Sequence, residues 1–207
     1  MQEPVKQSAV LRQVIETALQ RASDSLGKLL KVQVEQHVLD LQAVPLDALS
    51  KVVGNFISDQ EGVIIVQNCV AADADGAIFL HFTVPGAHVL VSQLWGQPEN
   101  PMAISSNDLM VLEEITNILL HAIISGIADL AHVRLRLSLP KVLSAAPHDH
   151  YSSWLPRSLQ RQEGPLFVIK AKLTVRDQVF KGVGVFDMDW VQRVSARYVA
   201  ATVEGTG

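Results

Sequence analysis

A glutamate and an asparagine three residues apart, Glu114 and Asn117, stand inside the longest apolar stretch of this chain, Ser105 to Leu130. In a helix, residues at i and i+3 are surface neighbours, so both side chains can work on one target. The asparagine amide offers two donors and one acceptor and has no useful pKa, so it cannot be a general base. It can hold a water in line with a phosphorus atom, as a glutamine does in GTP hydrolysis. The glutamate brings an acceptor and a negative charge that can fix a lysine or arginine of a partner. Asparagine inside a helix costs about half a kcal/mol relative to alanine. Together the pair suggests a surface that binds or catalyses.

The element that must carry them reads as one long helix. Leu109, Leu112, Ile115, Leu119, Ile123, Ile127 and Leu130 recur at helical spacing. Ser105 followed by Asp108 resembles a capping box and marks the start. At about 100° per residue, Asn107, Glu114, Asn117, His121 and Ser125 share a stripe roughly 80° wide. A plain solvated face would give the same stripe, so spacing alone leaves both readings open.

Glu114-Ile-Thr-Asn117 also resembles the ExxN motif of the CheC/CheX/FliY family of response-regulator phosphatases. That family's longer pattern places a proline 23 residues after the asparagine, and Pro140 stands there. The family usually has Asp or Ser four residues before the glutamate; this chain has Met110. The resemblance implies a pseudo-symmetric α+β domain and catalytic roles for Glu114 and Asn117. The substrate it implies is the aspartyl phosphate of a CheY-like response regulator. Asn117 would orient the attacking water, and Glu114 would pair with the regulator's active-site lysine. Magnesium would belong to the regulator, so the chain would need no cofactor of its own. Met110 keeps a second reading open, a non-catalytic module that docks a response regulator or another signalling partner.

Composition narrows the classes. Hydrophobic residues make up 48% of the 207 and charged residues 18%, a globular profile with ample material for a core. The net charge of −4 comes with no basic block, which argues against a nucleic-acid partner. MQEPVKQSAV has no apolar signal core, and Asn117, His121 and Ser125 interrupt the longest apolar run, so no membrane span is expected. Cys69 is the only cysteine, which excludes an internal disulfide and fits a reducing cytoplasm. The sequence leaves a homodimer open.

The order of elements repeats with a period of about 100 residues. The first copy, about 8–95, reads as a helix from Ser8 to Leu30, a strand from Val32 to Leu41 and a short helix from Leu46 to Phe56. A hairpin of Gly62 to Val70 with Ala77 to Phe82 follows, then a helix opened by Pro85. A linker from Trp95 to Pro101 leads to the second copy, about 105–201. It holds the central helix, a strand from Val133 to Leu139, a short helix near Ser152 to Gln160, a hairpin of Gly164 to Val175 with Gln178 to Phe186, and a last helix capped by Asp187. The expectation is a single α/β (α+β) domain with six strands in one sheet, or in two, and the two long helices packed together. Aligning those helices sets Glu16 opposite Glu114 and Leu19 opposite Asn117. Leucine has neither donor nor acceptor, so the first copy of the motif reads as degenerate. Ser8, Arg12 and Ser23 then read as solvated remains of a lost site.

Other groupings have simpler explanations. His121 fits a helix-surface residue without a role. His148-Asp149-His150 fits an exposed loop better than a metal site, because no further ligand set accompanies it. Asp73 and Asp75 lack the rest of a calcium loop and fit a turn.

Overall fold

The computed structural model describes residues 3–57, 61–71, 75–95, 104–144 and 151–204. Chain order gives α1 (Glu3–Leu30), β1 (Val34–Val44), α2 (Leu46–Ile57), β2 (Gly62–Ala71), β3 (Asp75–Thr83) and α3 (Val84–Trp95). It continues with α4 (Ser106–Ala131), β4 (Leu135–Leu137), β5 (Lys141–Ser144), a 3-10 turn (Tyr151–Trp154) and α5 (Arg157–Gln160). The last elements are β6 (Leu166–Val175), β7 (Gln178–Phe186) and α6 (Met188–Glu204). The linker at 96–101, Asp73 and the His148–His150 triplet lie outside the described residues.

The strands form one antiparallel sheet in the order β1-β6-β7-β3-β2-β4, with β5 also on β2. Exchanging the strands of one copy for those of the other reverses this order onto itself, so a pseudo-two-fold axis passes between β3 and β7. Alternation along each strand divides the side chains between two cores. On one face Ile65, Leu80, Phe82, Ile169 and Phe186 pack under α1, α3, α4 and α6. On the other, Ile64, Phe79, Val168 and Val183 pack under α2 and α5.

The expected capping box is present. Ser105 Oγ accepts from the Asp108 N–H at 3.2 Å, and the Asp108 carboxylate accepts from the Ser105 N–H at 2.8 Å. Asp187 caps α6 by accepting from the Trp190 N–H, and Thr83 does the same for α3 through the Gly86 N–H at 3.2 Å. These equivalent caps align the two copies residue by residue along their hairpins. By length and hydropathy α4 could cross a membrane, but half of its most apolar window is buried inside the protein. It serves here as a core helix. Gly126 explains how closely it packs: a Cβ there would sit 3.1 Å from the Ala18 Cβ of α1.

Two expectations need correction. The sheet has seven strands, not six, and the expected strand from Val133 to Leu139 is only three residues long. The cause is local. Between the pairs Cys69↔Leu137 and Val66↔Lys141, β2 supplies Gln67 and Asn68, whereas the facing chain supplies Ser138, Leu139 and Pro140. One extra residue makes a bulge, and proline has no N–H for the ladder. Regular pairing therefore ends at Leu137, followed by one backbone hydrogen bond from Ser138 to Asn68, and resumes at Lys141. The other edge has a matching irregularity, where Leu39 is extra between Val38↔Ala171 and Asp40↔Lys170.

Candidate functional site

The polar stripe of α4 faces outward. Asn107, Glu114, His121 and Ser125 are exposed and Asn117 is half-buried, while Leu112, Ile115, Leu119, Ile123 and Ile127 are buried beneath them. Among the described residues Glu114 has no ion pair, so its carboxylate is available to a partner. Met110 precedes Glu114 by one turn and is 67% exposed, and Leu139 on the bulge is 82% exposed. The polar pair thus lies on a surface that also presents large apolar side chains.

Asn117 is tied down on its inner side. Its Oδ1 accepts from Nε2 of Gln67 at 3.2 Å. The same Nε2 donates to the backbone carbonyl of Ser138 at 2.6 Å. Ser138 is held in turn: its N–H donates to the Asn68 carbonyl at 2.8 Å, and its Oγ accepts from the Asn68 N–H at 3.0 Å. Gln67 points to the α4 face of β2 and is 0% exposed. No local motif in the sequence singles it out. The available signal was an amide side chain in GVIIVQNCVA, at the same parity as the inward-facing Val63, Ile65 and Cys69.

The first copy is built differently. Glu16 is exposed, and its carboxylate accepts from Arg12 at 3.5 Å. Leu19 is 5% exposed and lines an apolar cavity of about 60 Å³ with Ile15, Leu120, Ile123 and Ala171. Through the helix caps, Ala171 corresponds to Gln67. Both amides of the second copy are therefore alkyl groups in the first. Arg12 also donates to the Val38 carbonyl beside the β1 bulge, at 3.2 Å. Ser23, expected to be solvated, is 1% exposed, and its Oγ has no hydrogen-bond partner among the described residues. It lies on the apolar side of α1 between Ala22 and Leu26. The side chain of Ser8 is outside the described residues.

Other groups of the sheet are structural. Asp75 accepts from the Ser158 hydroxyl, and its backbone N–H donates to Asp187 at 3.0 Å, which ties the two hairpins together. Burial pushes the Cys69 thiol up to about 12, with a smaller push from the Asp75 carboxylate. Among the described residues no group of three or more His, Cys, Asp or Glu side chains could hold a metal ion.

No protein-family model and no curated protein sequence matches the chain. Solved structures do. FliY from Thermotoga maritima aligns over 95% of this chain and 97% of its own, with a TM-score of 0.71 and 16% identity. Chemotaxis protein CheX from Vibrio vulnificus aligns over 84% and 99%, with a TM-score of 0.58 and 13% identity. The FliM middle domain from H. pylori aligns over 92% and 97%, with a TM-score of 0.59 and 9% identity. The sheet of two exchanged copies, the paired long helices and these alignments agree: the chain has the fold of the CheC/CheX/FliY proteins.

Proposed function

We propose that the chain is a phosphatase of a phosphorylated CheY-like response regulator, with Glu114 and Asn117 as its catalytic pair. The observation that carries this is the outward placement of both side chains on one ridge of α4, with the carboxylate unpaired and the amide anchored. In the reaction, water attacks phosphorus as the bond to the regulator's aspartyl oxygen breaks. The carboxylate leaves, and inorganic phosphate and a proton are released. Asn117 holds the water in line, and Glu114 grips the lysine that neighbours the acyl phosphate. Any magnesium the reaction uses would be held by the regulator and would supply charge neutralisation there. Such catalysis works by positioning, which can remove several kcal/mol of barrier. The test is the decay of the acyl phosphate on response regulators from the same organism, with and without this protein. Decay accelerated by catalytic amounts supports the reading; unchanged decay on every regulator that binds would sink it.

A second reading rests on Met110 and Leu139, whose exposed apolar side chains suit stable docking as well as turnover. On that reading the chain binds the regulator without hydrolysis, and the same assay shows binding with unchanged decay.

A further inference from the structure

We propose that Gln67 is the positioning residue of the site, held by the Ser138 carbonyl that the irregular segment before Pro140 presents to it. The inference rests on the phosphatase reading for its consequence but not for its geometry. The ladder on β2 is broken between Leu137 and Lys141, and within the break the Ser138 carbonyl faces the buried Gln67. A carbonyl can only accept, so the glutamine must turn its NH2 toward Ser138, at 2.6 Å. The second hydrogen of that NH2 lies on the Asn117 side, so Asn117 must present its oxygen inward, at 3.2 Å. Its Nδ2 then faces outward. The site offers the water or phosphoryl oxygen a donor of fixed orientation, not an amide free to rotate by half a turn.

Two further observations support this assignment. Gln67 is fully buried, yet its Oε1 has no hydrogen-bond partner among the described residues. A buried acceptor left unsatisfied is unfavourable, so packing alone does not account for a glutamine here. The internal comparison points the same way. The copy with Leu19 in place of Asn117 has Ala171 in place of Gln67, although its edge strand is also bulged. The buried amide accompanies the asparagine, not the bulge. It also bears on the 23-residue spacing of Asn117 and Pro140, since Gln67 joins Asn117 to Ser138, two residues before that proline.

The test is Gln67→Met, which keeps an unbranched side chain of similar volume and removes both donors. Two readouts are used: steady-state dephosphorylation, and the side-chain amide signals of Asn117 by NMR. The expected result is a kcat at least tenfold lower with KM within twofold of wild type. The Asn117 signals should shift and exchange with solvent faster, while the backbone spectrum and Tm stay close to wild type. Wild-type kcat in Gln67→Met, or unchanged Asn117 amide signals, would overturn the assignment. A kcat loss that tracks a lower Tm or a KM rise would overturn it too, because it would mark a merely structural role. If the wild-type protein proves inactive on every regulator, the phosphatase reading fails, and the NMR comparison still decides whether Gln67 sets the Asn117 amide.

Discussion

Asn117 and Leu19 occupy matching positions on the two long helices, and their surroundings separate them more than their chemistry does. Asn117 has one side in solvent and one on Gln67, whereas Leu19 is enclosed in the core. Asn117→Ala should therefore lower kcat at least about 100-fold, the usual cost of losing one preorganised donor. Thermal melting should fall modestly, because alanine is the better helix former but the truncation takes one acceptor from the buried Gln67 amide. Glu114→Lys reverses the charge at the proposed docking contact. It should raise the Kd of the phosphorylated regulator about 5- to 150-fold, corresponding to the loss of a charge-assisted contact of about 1–3 kcal/mol. Titration calorimetry against a regulator with a stable phosphoryl mimic measures this directly. Cys69 yields a prediction independent of function. Its native pKa of about 12 lies above its unfolded value of about 9, so the neutral thiol's contribution to stability is complete below about pH 9. It is lost as pH rises from there toward 12. Thiol reagents at pH 8 should label the folded protein far more slowly than the unfolded one.

At the level of elements, α1 and α4 pack closely because small residues meet at their crossing. Gly126 faces Ala18 so closely that a Cβ would sit 3.1 Å from the Ala18 Cβ, tighter than ordinary contact, which accounts for a glycine in the middle of a helix where it costs about 1 kcal/mol. Gly126→Leu should force the helices apart and destabilise the protein by several kcal/mol, on the scale of core overpacking. Denaturant unfolding would register this as a lower midpoint. Leu19→Ala tests whether the first copy takes part in the proposed reaction. It enlarges an existing apolar cavity and should cost about 2–5 kcal/mol. The dephosphorylation rate of the protein that remains folded should match wild type. A rate loss beyond the unfolded fraction would show that α1 contributes to the reaction.

At the level of the whole molecule, the two-copy sheet sets out two equivalent helix ridges, and side chains alone distinguish them. Exchange of the copies maps the fold onto itself, but only one helix ridge keeps a polar pair backed by a buried amide. The helical period of Ser105 to Leu130, the capping box and the two hairpins were legible in the chain, because they arise from contacts between near neighbours in sequence. So was the adjacency of Glu114 and Asn117, because three-residue spacing on a helix sets two side chains together wherever the helix is packed. Pro140 was legible as a spacing but not as a cause. Its effect depends on which strand it faces, and nothing local specifies that β2 lies opposite. The burial of Ser23 and Leu19 followed from how α1 rests on α4 and the sheet. Gln67 is the clearest case. Its sequence shows a polar residue in an apolar strand, 50 positions before Asn117 and 71 before Ser138. Only the closed sheet brings the three together, because hydrogen bonds depend on distance in space and not along the chain.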